Sequence, residues 1–188
     1  NPTYYNTTAA QLTNYNPRIA FTCDQMESID NPKGFALGKQ GKTVIAVMSK
    51  PVFNGSGAGF PVMYGQDATK SGYGIYTTNA ELKTDVLGAG LNPWPSFTAN
   101  NKPLMLSGVY KNSNITTTLN ASQYGDGKLY GPSTYTDWNT TLNDGEDFSI
   151  GTHVDYTNGC TDVNINEIIY YPWDLTATER NRVESYLA

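Results

Sequence analysis

Apolar and polar positions in this chain change over at short intervals, and only near the C-terminus do they settle into a helical period. Thr43-Val44-Ile45-Ala46-Val47-Met48-Ser49 is a continuous apolar run of strand length, the pattern of a strand covered on both faces. Further runs rich in β-branched and aromatic residues lie at Phe60–Tyr64, Tyr73–Thr78, Leu82–Leu87, Leu104–Lys111, Ile115–Leu119, Phe148–Gly151 and Val163–Tyr171, with a short one at Arg18–Cys23. Such residues fit a pleated, half-buried surface, so each run predicts a strand. Asn112-Ser113-Asn114 predicts a hairpin connection between two of them. The intervening stretches read as irregular. Asp24–Lys42 carries the turn sequence Asn31-Pro32-Lys33-Gly34, and the glycines of Asn54–Gly59 favour coil. Gly88–Asn101, with Pro93-Trp94-Pro95, reads as a long loop, and Asn120–Asp147 as a longer one filled with Gly, Tyr, Asp, Thr and Asn. Loops of that length inside a compact domain usually carry function. Asn1–Asn16 is polar and without period, and reads as an edge strand or a tether.

At the C-terminus Ile168-Ile169-Tyr170-Tyr171 ends at Pro172, whose missing N–H stops a sheet ladder. A helix follows. Thr176 and Glu179 stand at capping-box spacing, and Val183, Tyr186 and Leu187 fall on one face. So short a helix is marginal alone, so that face is expected to dock on the body built by the preceding strands. The pattern predicts an all-β fold with one short C-terminal helix, in a single domain spanning residues 1–188.

A formal net charge of -5, from 12 Lys+Arg against 17 Asp+Glu, argues against a nucleic-acid or anionic-membrane footprint, which needs clustered positive charge. Charged residues are only 15% while Asn, Thr, Gly and Tyr are abundant, a balance that suits a secreted protein. In that setting the two cysteines, Cys23 and Cys160, more often close one disulfide than remain free thiols. With no signal peptide or membrane span visible and no initial methionine, the chain reads as an excised extracellular module without membrane insertion of its own.

The order from Glu167 to Leu187, a strand of the type Glu-Ile-hydrophobic-hydrophobic-Tyr before a Leu-Thr-x-x-Glu helix ending Val-Glu-x-Tyr-Leu, resembles the last strand and terminal helix of laminin-G-like, concanavalin A-like lectin domains of bacterial surface proteins. Thr43–Pro51, Pro103–Tyr110 and Asp147–Gly151 resemble the core strands of that family more faintly, so the likeness covers roughly residues 20–188. It implies a two-sheet antiparallel jelly-roll sandwich. It also implies a non-enzymatic lectin module of an adhesin, displayed on a pilus or a long surface protein, with host or microbial glycans as ligands. The same resemblance admits a calcium ion near the rim, with Asp67, Asp137 or Asp155 as candidate ligands. A module binding a peptide or matrix protein is the alternative, with a glycoside hydrolase or a structural spacer domain behind it.

The chemistry of the residues agrees with binding more than with catalysis. Glycosidases of this superfamily need a Glu-x-Asp-x-x-Glu strand that aims two carboxylates into one cleft, and the chain has none. A nucleophile triad is equally unsupported: His153 is the only histidine and there is no Gly-x-Ser-x-Gly elbow. Gly41-Lys42-Thr43 ends like a phosphate-binding loop, but Ala36 replaces its first glycine and a strand follows. Asp162–Asn166 opens like a calcium loop, yet Glu167 stands where glycine is needed, so alternation explains it better, with Val163 and Ile165 inside and the polar residues on the wet face. A sugar site needs planar polar partners beside an aromatic platform. Tyr135, Asp137, Trp138 and Asn139 offer these within one loop, with Asp67 and Trp94 as further candidates.

Overall fold

The structure, a computed structural model, describes residues 3–5, 18–22, 25–28, 41–49, 59–64, 73–77, 81–86, 97–98, 103–111, 118–136, 148–151 and 162–188. Their strands, in chain order, are β1 (Thr3–Tyr5), β2 (Arg18–Thr22), β3 (Gln25–Ser28), β4 (Lys42–Ser49), β5 (Gly59–Tyr64), β6 (Tyr73–Thr77) and β7 (Glu81–Val86). Then come β8 (Phe97–Thr98), β9 (Leu104–Tyr110), β10 (Thr118–Gly125), β11 (Lys128–Thr136), β12 (Phe148–Gly151), β13 (Asp162–Tyr171) and the helix α1 (Ala177–Leu187). The fold is antiparallel β with one short C-terminal helix. Seven strands form one sheet in the order β1-β2-β13-β4-β9-β10-β11, and six form another in the order β3-β12-β5-β6-β7-β8.

The continuous apolar run is the middle strand of the larger sheet. Every residue of β4 is buried except the half-buried Val47. It runs between β13, with Ile169 opposite Ile45, and β9, with Ser107 opposite Ile45. Val44, Ile45, Ala46 and Met48 join Leu106, Val109 and Tyr110 of β9 and Val163 and Ile165 of β13 in the described core. Full burial of a side chain such as Ile45 or Met48 is worth about 1.5–3 kcal/mol over leaving it in water. A bulge in β13 between Ile165 and Glu167 shifts its register on β4, and Ile169 and Tyr171 then share a face with Ile45 and Thr43. Proline is tolerated where the ladder is already broken or ends: Pro61 lies at a register shift in β5, and Pro132 lies in β11, an edge strand.

Three stretches depart from their reading in the sequence. Part of the Asn120–Asp147 segment is no loop: β10 and β11 form a hairpin there, closed by Asp126 and Gly127 with positive φ of 46° and 74°. Positive φ at both central residues is what a tight hairpin turn demands, and glycine meets it without steric cost. Its tip is tied to β9, since the Asp126 N–H donates to the Met105 carbonyl at 2.8 Å and the Met105 N–H to Asp126 Oδ1 at 3.0 Å. The Asp24–Lys42 stretch holds β3, and the loop around Trp94 leads to the two-residue β8. Asn164 is not on a wet face. It is buried, with its Nδ2 3.4 Å from the hydroxyl of Ser49, the residue opposite it in β4.

Candidate functional site

The best-defined surface is built where β13 hands over to α1. Helix formation starts with the capping box read from the sequence. Thr176 is extended at φ -64° and ψ 161°, and the Glu179 N–H donates to its hydroxyl at 3.3 Å. In return Thr176 N–H and Oγ1–H donate to Glu179 Oε2 at 2.9 and 2.7 Å. Those bonds, the hydroxyl's first, hold the Glu179 carboxyl below its usual range.

Docking of α1 is polar. The face predicted to pack, Val183, Tyr186 and Leu187, is not the buried one: Tyr186 is 75% exposed, and the buried helix residues are Arg180 and Glu184. These two are one turn apart, and Arg180 Nε lies 3.2 Å from Glu184 Oε1, close enough to pair but not aligned as a hydrogen bond. The sheet supplies what they need. Ser107 Oγ–H donates to Glu184 Oε1 at 2.8 Å, and the guanidinium carbon of Arg180 sits 3.4 Å from the centre of the Tyr124 ring. The hairpin tip closes the same contact, with an added Cβ at Gly127 only 3.6 Å from Glu184 Oε2. Val183 and Leu187 flank the pair half-buried, whereas Tyr186, about 200° round the helix from Glu184, turns to solvent.

The link between β13 and α1 presents an aromatic ledge. Trp173 is 49% exposed, which forgoes on the order of 1 kcal/mol of burial. Tyr171 meets its ring edge-on, with centroids 5.3 Å apart at 64°. The ledge rests on the buried hydroxyl of Thr43, which donates to the Trp173 carbonyl at 3.1 Å and accepts the Leu175 N–H at 3.0 Å. Between them, half-buried Asp174 leans on Gly41, where an added Cβ would overlap its Oδ1 and come within 2.9 Å of its Cγ. Central strand and linker are thus tied together through Thr43, with the carboxylate against Gly41 and Trp173 half exposed. None of these ledge residues was singled out by the chemistry of the sequence, because a Trp after a strand-ending proline reads equally as core. The signal was the adjacency of Trp173 and Asp174.

Of the residues the sequence nominated, Tyr135 lies in β11, opposite Leu119 of β10, and so belongs to an edge strand and not to a loop. Asp137, Trp138, Asn139, Asp67, Trp94 and Asp155 lie outside the described residues, as do His153, Cys23 and Cys160. Among the described residues no group of His, Cys, Asp and Glu is arranged to hold a metal ion, and no helix is long and apolar enough to cross a membrane.

No protein-family model matches the chain, and no curated protein matches its sequence. Solved structures do. The binding domain of botulinum neurotoxin DC in complex with rat synaptotagmin II is similar at a TM-score of 0.65 and 10% identity, over 100% of this chain and 45% of that one. The receptor binding domain of botulinum neurotoxin type G is similar at 0.64 and 11%, over 93% and 43%. A structure described by the dependence of botulinum neurotoxin type C cell entry on two ganglioside molecules is similar at 0.63 and 11%, over 100% and 45%. The chain spans less than half the length of these structures, and at such identities the likeness is one of fold.

Proposed function

We propose that this chain is a non-enzymatic, extracellular binding module that holds glycans on host or microbial surfaces. The observation that supports it is the extent of the fold likeness: nearly the whole chain is similar to part of toxin domains whose descriptions name receptor binding and gangliosides. In this reading the two sheets face one another as a jelly-roll sandwich of the laminin-G-like, concanavalin A-like kind, displayed by a bacterial adhesin or pilus. The end of β11 with Tyr135, the segment after it with Asp137, Trp138 and Asn139, and the segments between strands of the smaller sheet with Asp67 and Trp94 present the ligand residues. Their mix of rings, amides and carboxylates suits sugar hydroxyls and ring faces. Cys23 and Cys160 close a disulfide, and calcium is bound at the rim if Asp67, Asp137 or Asp155 converge there.

A glycan array probed with and without chelator is the test. Saturable binding that Trp138→Ala or Asp137→Ala abolishes is the expected result, and silence on every glycan overturns the reading. A protein ligand is the second reading, favoured by the neighbour solved in complex with synaptotagmin. Binding to peptides or matrix proteins alone would select it.

A further inference from the structure

We propose that the Tyr171–Asp174 ledge is a subsite for the apolar face of a neutral pyranose, an inference that rests on the sugar-binding reading above. Three features of the ledge point to a ligand and not to packing. First, Trp173 is half exposed although the buried Thr43 hydroxyl holds its carbonyl at 3.1 Å and the Leu175 N–H two residues on at 3.0 Å. A large ring that is rigid and wet costs little further ordering when something stacks on it. Second, Tyr171 packs against that ring edge-on, at 5.3 Å and 64°, which fixes the indole plane. Third, the adjoining Asp174 carboxylate is braced by the bare backbone of Gly41, and no hydrogen bond to it is found among the described residues.

A pyranose offers what these groups lack. Its C–H face is a weakly apolar plane that packs on an indole, and its vicinal hydroxyls donate to a carboxylate, which only accepts. The carboxylate also selects. In a chain of formal net charge -5, an acidic sugar would meet like charge at Asp174, so the subsite fits uncharged rings. Gly41 is part of the device, since any side chain there would overlap the Asp174 carboxylate and displace it.

The test uses 5-fluorotryptophan-labelled protein and fluorine NMR, titrated with methyl β-galactoside, methyl β-glucoside, N-acetylglucosamine and sialic acid. Trp173→Phe identifies the Trp173 resonance by its loss. The expected result is a saturable shift of that resonance with at least one neutral sugar and none with sialic acid. Trp173→Ala should weaken binding about tenfold and Asp174→Asn by a smaller factor, with unchanged far-UV circular dichroism. If the glycan array shows binding that Trp138→Ala abolishes while the Trp173 resonance stays still, the subsite is wrong and the sugar-binding reading stands. If the array is silent and no resonance moves, both fall. A shift that depends on protein concentration and not on sugar would show a second copy on the ledge and would also overturn the subsite.

Discussion

Lys42 and Tyr110 face each other across β4 and β9, both wholly withdrawn from water. A cation so placed loses its hydration, and burial lowers the Lys42 ammonium from 10.5 to about 7. The folded chain therefore gives up this proton more readily than the unfolded one. Below about pH 7 the cost of burying the charge is borne in full, and it is relieved as pH rises towards 10.5, so stability should increase across that window. Thermal midpoints measured at pH 7 and pH 9.5 should rise with pH in the parent. In Lys42→Met they should vary less with pH. A parent profile as flat as that of the variant would contradict the burial. Gly41, one residue earlier, shows the opposite economy: here the absence of a side chain makes room for Asp174.

At the scale of elements, α1 is held by charge as much as by apolar surface. Glu184→Ala should leave Arg180 buried against Tyr124 without its carboxylate, at a cost of about 3–5 kcal/mol. The paired change Arg180→Met with Glu184→Leu should be close to neutral, since it removes both desolvated charges and keeps the volume. Urea denaturation of the two variants checks this, and equal losses would show that the ion pair does not organise the docking. The capping box, by contrast, was legible in Thr176 and Glu179, because a cap depends only on residues three apart. Apolar spacing alone pointed to Val183, Tyr186 and Leu187, and it misjudged the docking face because a face is defined by what it meets: a hydroxyl at Ser107 and a ring at Tyr124. The β10–β11 hairpin was missed for a related reason. Its Asp126-Gly127 turn is a strong local signal, but the polar flanks hid the alternation that would have made it decisive.

For the whole molecule, the register of the larger sheet bears on the proposed disulfide. Thr22, the last residue of β2, stands opposite Asp162, the first of β13, while Cys23 and Cys160 themselves lie outside the described residues. Oxidised protein should melt well above reduced protein, a bridge over so long a loop contributing about 3–5 kcal/mol. Equal midpoints would remove the bridge.

By itself the sequence determined the class of fold, the central strand, most strand positions and the helix with its cap. These rest on interactions between near neighbours in the chain: β-branched runs, the strand-ending Pro172, and a hydroxyl and carboxylate at fixed spacing. Tertiary structure alone decided which polar residues are buried and which aromatic is presented. Asn164 is interior and meets the Ser49 hydroxyl, 115 positions away, and Arg180 and Glu184 are interior because Ser107 and Tyr124 receive them. Trp173 became a ledge because Thr43, 130 positions away, holds its backbone in place. Burial and presentation are properties of the partners across the fold, and no local pattern of residues encodes them.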